Sequence, residues 1–282
     1  MQADKVNHVF KPNSRFLRVL VAMNTPEANP DGTLYGMIKP DIPMNLTETA
    51  EKAIAAYGGR ALWQNAKTLE VEISASGLAF TLKRRPFFRH AKMVLDVHRP
   101  FSSLTPIGLD SCVTGVLDGP NVRLENKQGQ LISERRNARD YFKINRRLFY
   151  WDDLDMSYFA NYASWNYFTL PALLMREDIV WTEIEPGWLE ARFPDAIPTH
   201  SRVQRFRFER ETGRLIQHDY TAQIISPLAA ASNVVLQHAK NSSGVVYPSV
   251  RRVTPKGPKG RPLGGPVLIH LEIHDYRLII PH

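Results

Sequence analysis

The sequence predicts an α+β protein in which antiparallel strands dominate. A helical pattern over residues 46–66 is followed by a long series of segments that alternate apolar and polar residues, as strands do. A second helical pattern falls within an aromatic window, residues 141–168. No stretch alternates helix with strand at the length that a parallel βαβ crossover requires, so we expect an antiparallel meander.

The composition is that of a folded protein with an excess of basic residues. With 282 residues, of which 43% are hydrophobic and 23% charged, the chain is expected to form a packed core. The net charge of +8 favours anionic partners such as phospholipid headgroups or nucleic acid. Its single cysteine, Cys112, excludes an intrachain disulfide and a cysteine-based metal site. Neither a run of 18 apolar residues nor a signal peptide is visible, which predicts a cytoplasmic protein.

The domain organisation follows from a change in pattern near residue 44. Residues 1–43 mix Pro, Asn, Gly and charged residues without periodicity, which predicts an N-terminal tail or extension. Met44 is followed by Asn45, a residue type that favours the start of a helix. The sequence therefore predicts a single domain over residues 44–282.

The elements of the first half begin with the helix over residues 46–66. Gly58 and Gly59 interrupt it and are expected to divide it into two pieces. Alternation then predicts strands whose apolar faces are formed by Leu69, Val71, Ile73 and Ala75, by Leu78, Phe80 and Leu82, and by Met93, Leu95 and Val97.

The aromatic window holds eleven of the chain's 28 Phe, Trp and Tyr residues. Helical spacing within it predicts a helix that stops at Pro171. Together the rings represent on the order of 2,000 Å² of mostly apolar surface, more than a monomer exposes. Four things could cover this surface: the protein's own core, an apolar ligand, a partner chain or a membrane.

Two hairpins and a further helix are predicted in the second half. Pro186-Gly187 and Thr212-Gly213 mark the two hairpin turns. After Pro227, apolar residues at three- and four-residue steps predict a helix that ends at Asn241. Short strands follow, the last of which carries Val267, Ile269, Leu271 and Ile273 on its apolar face.

A candidate ligand site is predicted where polar residues fall on an apolar strand face. Alternation after Gly213 turns His218 and Tyr220 inward and turns Gln217 and Asp219 outward, with Asp219 facing Arg205 across the hairpin. A buried His and Tyr are either a hydrogen-bonded core pair or polar anchors of a pocket. The candidate ligand-binding residues are Trp151, Tyr158, Tyr162, Trp165, Phe206, Phe208, His218 and Tyr220.

Metal binding and known catalytic chemistry are not favoured. His270, Glu272 and His274 alternate on one strand face, as do Asp96 and His98, but strand residues two positions apart are about 6.6 Å distant and no further ligand is identifiable for either group. Asp152, Asp153 and Asp155 lack the glycine and terminal glutamate of a calcium loop and are interpreted as helix N-capping residues. The hydrolase, nucleotide-binding and zinc-protease motifs are absent, and neither a metal nor a cofactor is expected.

Several short segments together resemble a known family. They are Ala55-Ala56-Tyr57-Gly58-Gly59, Leu62-Trp63, the strand from Gly213-Arg214-Leu215 to Asp219-Tyr220, and Gly244-Val245-Val246-Tyr247-Pro248. With the long meander, they resemble the outer-membrane lipoprotein carrier-like (Lol-type) fold. The resemblance implies a strongly curved antiparallel sheet that forms an unclosed half-barrel, helices that plug its mouth, and an apolar cavity for acyl chains. Because Lol-type carriers are made with signal peptides, lipoprotein trafficking is not carried over.

Three functions are compatible with these observations. The first is a binding or carrier protein for an apolar, acyl-bearing or lipid-like ligand, with basic loops that engage an anionic headgroup or membrane surface. The second is a cofactor-free enzyme of the cyclase or isomerase type, with His218 and Tyr220 as acid and base. Nucleic-acid binding, suggested by Phe87 and Phe88 among basic residues, is the least favoured because no binding module accompanies it. The oligomeric state stays open.

Overall fold

Residues 46–142 and 149–281 are described by the computed structural model, and over these residues thirteen strands form one antiparallel sheet. The strands are β1 Thr68–Ser76, β2 Phe88–Asp96, β3 Phe101–Thr105, β4 Thr114–Asp118, β5 Asn121–Glu125, β6 Leu131–Arg135, β7 Val180–Glu185, β8 Trp188–Arg192, β9 Val203–Phe208, β10 Leu215–Thr221, β11 Ala230–Lys240, β12 Val246–Pro255 and β13 Ile269–Ile279. The predicted α+β class with an antiparallel meander is confirmed. The predicted tail over residues 1–43 lies outside the described residues.

The helices are short, with one exception. They are α1 Glu48–Ala56, α2 Arg60–Asn65, α3 Leu78–Leu82, α4 Asp153–Phe168 and α5 Leu170–Leu173, and single 3-10 turns cover Ala138–Tyr141 and Pro258–Gly260. Within the two described ranges, none of these helices is long and apolar enough to cross a bilayer.

The predicted division of the first helix is confirmed. Thr47 caps α1, since its hydroxyl oxygen accepts a hydrogen bond from the Ala50 N–H at 3.2 Å. Gly58 and Gly59 have φ values of 105° and 87°, which only glycine adopts without strain. The chain therefore leaves α1 and starts α2 at these two residues.

The strand order explains why the sheet is open. It runs β6-β5-β4-β3-β2-β1-β13-β12-β11-β10-β9-β8-β7, so adjacent strands are consecutive in sequence except at the centre, where β1 pairs with β13. In the described part of the chain, β6 and β7 are the two edges and do not pair with each other. The sheet is thus unclosed, as the resemblance implied.

Contacts of α4 show that the sheet is strongly curved. Asn161 accepts a hydrogen bond from Ser102 of β3 at 2.8 Å, while the hydroxyl groups of Tyr167 and Tyr220 of β10 are 2.7 Å apart. Strands β3 and β10 are six interstrand spacings apart, about 29 Å in a flat sheet. Asn161 and Tyr167 are only about 9 Å apart along the helix axis. One helix reaches both strands because the sheet curls around it, which confirms the half-barrel.

Two element predictions are wrong. Residues 78–82 form α3 instead of a strand, and only Phe80 of the three apolar residues is buried. The helix predicted after Pro227 is strand β11, which pairs with β10 and β12. Its register shifts between Val235 and Gln237 and again between Gln237 and His238. Each bulge adds a residue to the strand and interrupts the alternation of apolar and polar residues. The apolar residues then fall at three- and four-residue steps, as they do in a helix.

Both hairpin predictions are confirmed. The turn at Gly187 joins β7 to β8, and the turn at Gly213 joins β9 to β10. Both glycines have positive φ values, 83° and 71°. A side chain on Gly213 would meet the backbone of Lys52 in α1 at 2.4 Å, so this turn also requires glycine for the close approach of the helix.

Candidate functional site

Helix α4 lies on the concave side of the sheet, and its N-terminus is fixed by charged groups. Asp152 and Asp155 form a capping box, in which each side chain accepts a hydrogen bond from the backbone N–H of the other residue. Arg135 of β6 pairs with both carboxylates, including a contact of 2.6 Å to Asp155. Arg85 pairs with Asp153. The predicted capping role of the acidic cluster is confirmed, with two arginines that sequence reasoning did not assign to it.

The aromatic window is covered mainly by the protein's own core. Every residue from Leu154 to Phe168 is buried, including all six rings of this helix. Phe142 and Trp151 are buried as well, whereas Tyr141, Phe149 and Tyr150 are exposed. Most of the predicted apolar surface thus fills the half-barrel. Whether a ligand shares this space is the functional question.

Four of the predicted site residues come together around His200, a residue in the segment before β9. Phe206 stacks on His218, with ring centres 4.1 Å apart. Tyr220 stacks on His200 at 3.9 Å, and the Tyr162 hydroxyl group contacts His200 Nδ1 at 3.1 Å. The structure therefore brings strands β9 and β10 and helix α4 together in one buried polar and aromatic group.

Two further residues complete this buried network. The Tyr167 hydroxyl group lies 2.8 Å from His200 Nε2 and 2.7 Å from the Tyr220 hydroxyl group. His218 Nε2 lies 2.6 Å from the Gln204 side-chain oxygen. Each histidine and tyrosine ring of this network has a hydrogen-bond partner, as burial requires.

The protonation states in the network do not support acid–base catalysis. Burial, reinforced by the charge of Arg139, lowers the pKa of His200 to about 3. Burial also lowers the pKa of His218 well below its usual value and raises the pKa of Tyr220 well above its usual value. These shifts move the pKa values away from neutral pH, whereas efficient general acids and bases have pKa values near the working pH. A cyclase or isomerase that uses His218 and Tyr220 as acid and base is not supported.

The remaining predicted residues lie elsewhere. Trp165 donates a hydrogen bond from its indole N–H to the Asp96 carbonyl oxygen at 2.7 Å. Trp151 lies under the Lys83 ammonium group at 5.1 Å and lines a void of about 10 Å³, enough for about one water molecule. Phe208 borders a depression of about 120 Å³ beside the hairpin turns at Gly187 and Gly213.

Tyr158 is the predicted site residue that faces a sizeable cleft. The cleft has a volume of about 630 Å³ and lies between α4, the 3-10 turn at Ala138–Tyr141 and the segment before β9. Its lining consists of Pro120, Asn137, Arg139, Asp140, Tyr158, Pro194, Asp195, Ala196, Ile197, Pro198, Thr199, Arg202 and Gln223. Asp140 and Ala196 are exposed at its rim, while Tyr158 and Ile197 are buried at its base.

Arg139 is held in a fixed position in the cleft. One terminal nitrogen donates to the Thr199 carbonyl oxygen at 2.7 Å, and the other donates to the Gln223 side-chain oxygen at 2.9 Å. Arg202, at the rim, pairs with Asp195. The cleft therefore combines an apolar base with two guanidinium groups, one of them anchored by backbone and amide oxygens.

The outer face of β10 corrects one prediction. Gln217 and Asp219 are buried, with exposed fractions of 6% and 2%, because the segment after β12 covers this face. Asp219 pairs with Lys256 at 3.1 Å, and Arg205 pairs with Glu190 at 3.0 Å instead of with Asp219. Arg205 and Asp219 are opposite each other in the pairing of β9 with β10, as predicted, but their side chains form ion pairs with these other residues.

Residues considered for metal binding are engaged in other contacts. His270 contacts Glu272 at 3.1 Å, and His274 contacts the Ser74 hydroxyl group at 2.8 Å while its ring stacks on His90. In the described ranges, no three His, Cys, Asp or Glu residues are grouped in a way that could hold a metal ion. Cys112 is exposed.

Sequence reasoning missed His200, Arg251 and Asn233. His200 belongs to a segment without periodicity, so no pattern predicts its burial. Arg251 could have been found, since it shares alternation parity with Val253 and therefore falls on the apolar face of its strand. Arg251 and Asn233 are both fully enclosed on the concave side.

Comparison with known proteins gives structural neighbours only. Neither a protein-family model nor a curated protein sequence matches the chain. Solved structures that align with it include a DUF1329 family protein from Desulfovibrio piger, with 11% identity, a TM-score of 0.44, and coverage of 82% of this chain and 91% of that one.

Two other solved structures align over the same share of this chain, 82%. A LolA superfamily protein from Nitrosomonas europaea has 11% identity, a TM-score of 0.44 and 92% coverage of its own length. A protein described as an outer membrane lipoprotein-sorting domain, from Vibrio parahaemolyticus, has 11% identity, a TM-score of 0.43 and 91% coverage.

Proposed function

We propose that the protein is a binding or carrier protein for an apolar, acyl-bearing ligand that is held on the concave side of the half-barrel beside α4. The observation that carries this proposal is the cleft next to Tyr158. Its volume of about 630 Å³ lies within the range of about 300 to 1,000 Å³ that is typical of small-molecule sites. It opens where a helix with aromatic residues on all sides lies against an unclosed sheet.

The chemistry of the cleft favours a ligand with an apolar body. Tyr158, Ile197 and the proline residues of the segment before β9 supply apolar walls, while seven of the thirteen lining residues, among them Arg139 and Arg202, are polar or charged. Apolar walls can hold the body of a ligand, and placed polar groups can fix its orientation. The net charge of +8 also favours encounter with an anionic membrane surface, from which such a ligand could be taken up.

Ligand content and affinity test this function directly. We expect native mass spectrometry and lipid extraction of the purified protein to show a co-purifying apolar molecule, and a fluorescent fatty acid to bind with a saturable signal. Absence of a bound ligand, together with no affinity for fatty acids or phospholipids, would contradict the proposal.

A matched pair of variants locates the site. Ala196→Trp places a bulky side chain at the exposed rim of the cleft and should weaken fatty-acid binding about tenfold or more, because it occludes the entrance. Ala55→Trp adds the same side chain at an exposed position of α1 and should leave the affinity unchanged. Equal affinities for both variants would place the ligand elsewhere.

A further inference from the structure

Arg251 is a buried cation on the concave face of β12. Its exposed fraction is 1%, and across the sheet it is paired with Leu271 of β13 and Val235 of β11. Neighbouring strands thus surround the base of the side chain with aliphatic residues. The guanidinium group points toward α4, where it lies 5.2 Å from the ring centre of Tyr167.

No carboxylate neutralises this charge. Among the residues that the structure describes, no Asp or Glu pairs with Arg251, and its one hydrogen bond runs from Nη2 to the Tyr167 carbonyl oxygen at 3.2 Å. Nε and Nη1 are buried without a hydrogen-bond partner. Burial lowers the pKa of Arg251, yet a guanidinium group keeps its proton in proteins. The interior therefore holds an uncompensated positive charge with two free donors.

Asn233 is the second group with unused polar atoms. It lies on β11 opposite Val253, which makes it a diagonal neighbour of Arg251 on the same face of the sheet. Its side chain is fully buried and lies near the Tyr167 hydroxyl group, but in the described part of the structure neither its amide nitrogen nor its amide oxygen has a partner at hydrogen-bond geometry. The free donors of two adjacent strands thus lie on one face.

The surrounding tyrosines do not replace the missing anion. Burial raises the pKa of Tyr57 to about 12 and that of Tyr276 above its usual value, so both are uncharged near neutral pH. Their hydroxyl groups are also engaged, Tyr57 with His238 at 3.1 Å and Tyr276 with the Phe168 carbonyl oxygen at 2.7 Å. A buried charge without a counter-ion is strongly unfavourable, and an anion within hydrogen-bond distance would relieve it.

We propose that Arg251, together with Asn233, binds the carboxylate of a monoanionic amphiphile such as a long-chain fatty acid. This inference rests on the proposed function and adds the chemical class of the ligand's head group. One uncompensated positive charge is matched by one negative charge, whereas a phosphate dianion would leave an unpaired negative charge in the interior. Guanidinium and carboxylate groups also form strong charge-assisted hydrogen bonds.

The aromatic rings of α4 connect this site with the cleft. Tyr158, at the base of the cleft, and Tyr167, against Arg251, are about 14 Å apart along the helix axis. Tyr162 lies between them, with its ring centre 5.2 Å from that of Tyr158. Tyr162 and Tyr167 both contact the His200 ring, so an acyl chain that extends from Arg251 toward the cleft has to displace some of these rings. Binding is therefore expected to change the intrinsic fluorescence of the chain.

Binding of two matched ligands tests the inference. Calorimetry and intrinsic fluorescence would compare palmitic acid with hexadecanol, which has the same chain length but no charge. We expect the wild-type protein to bind the acid about ten- to hundredfold more tightly, since hydrogen bonds to charged groups have this strength. Arg251→Met should lose this preference and keep its affinity for the alcohol.

A second variant keeps the arginine and supplies the anion internally. Asn233→Asp is nearly isosteric and places a carboxylate beside Arg251, so it should raise the melting temperature of the ligand-free protein and weaken binding of palmitic acid at least tenfold. Its affinity for hexadecanol should stay within about twofold of wild type. This variant also tests the inference if Arg251→Met fails to fold.

The outcomes separate the inference from the function on which it rests. Equal affinity of the wild-type protein for the acid and the alcohol would overturn the role of Arg251 and leave apolar binding intact. A preference for the acid that persists in both variants would overturn it as well. Failure of both ligands to bind the wild-type protein would instead remove the proposed function.

Discussion

The two ends of α4 use arginine in opposite ways. At the N-terminus, Arg135 meets the carboxylates of Asp152 and Asp155, and every charge has a counter-charge within hydrogen-bond distance. At the C-terminus, the contacts of the Arg251 guanidinium group with described residues are a hydrogen bond to the Tyr167 carbonyl oxygen and the face of the Tyr167 ring. The same residue type is thus neutralised at one end of the helix and left with unused donors at the other.

This difference distinguishes an end of α4 with a structural role from an end that is available for binding. Removal of one member of a buried ion pair leaves the partner's charge buried without a counter-charge, which is unfavourable. A paired cluster therefore fixes the position of the helix. An unpaired buried charge contributes no such constraint and is available to an incoming anion. We interpret the N-terminal end of α4 as its anchor and the C-terminal end as its ligand-binding part.

Arg135→Met should produce the largest loss of stability. The variant leaves the fully buried carboxylate of Asp155 without its arginine partner, and removing one partner of a buried pair costs about 3 to 5 kcal/mol in the free energy of unfolding. Urea denaturation would measure this loss.

Arg251→Met is the matched control for this comparison. It removes a buried arginine that has no carboxylate partner in the described structure, so the ligand-free protein should keep or gain stability. Similar losses of unfolding free energy in Arg135→Met and Arg251→Met would contradict the proposed difference between the two ends of α4.

Acid should destabilise the fold through the buried histidines His200 and His218, which lie near the C-terminal end of α4. The pKa of His200 falls to about 3 in the folded state, while an unfolded histidine has a pKa of about 6.5. The contribution of His200 to the free energy of unfolding is fully present above about pH 6.5. It decreases as the pH falls toward 3, because only the unfolded chain takes up the proton in this range. The free energy of unfolding should fall by about 1.4 kcal/mol per pH unit for His200 in this window.

Urea denaturation between pH 6.5 and 5 would measure this slope. His218, whose pKa is also lowered by burial, acts in the same direction. His200→Gln should reduce the slope while His218 maintains the remainder. An unchanged slope in the variant would show that His200 takes up its proton in the folded state.

The smallest effect is expected at the neutral contacts of the C-terminal end. The Tyr276 hydroxyl group donates a hydrogen bond to the Phe168 carbonyl oxygen at 2.7 Å. Tyr276→Phe should cost about 1 kcal/mol, the usual contribution of a neutral hydrogen bond. Tyr141→Phe removes an exposed hydroxyl group and should change stability by less than about 0.5 kcal/mol. A loss for Tyr276→Phe as large as that for Arg135→Met would contradict the division of α4 into two parts.

Local sequence patterns predict much of this fold because local chemistry determines those elements. The Gly58-Gly59 break, the two hairpin turns and the acidic N-cap of α4 depend on neighbouring residues only. Strand β11 was missed because two bulges change its period, and bulges depend on the partner strand. The curl of the sheet followed from the family resemblance and not from any local pattern.

The candidate site is less predictable than the fold. The inward direction of His218 and Tyr220 follows from alternation, and the structure buries both. Their partner His200 comes from a segment without periodicity, and the free donors of Arg251 depend on which carboxylates lie nearby in three dimensions. Burial of a polar residue can be read from a strand pattern, whereas the identity of its partner cannot.

The pairing of β1 with β13 at the centre of the sheet has a consequence for biosynthesis. Thr68 pairs with Ile279, so the middle of the half-barrel joins strands from opposite ends of the domain. A nascent chain on the ribosome can form the meanders β1–β6 and β7–β12 early, but it cannot join them across β13 until that strand has emerged. Until then the edges of β1 and β12 lack their hydrogen-bonded neighbour, and such unpaired strand edges are prone to aggregation during synthesis.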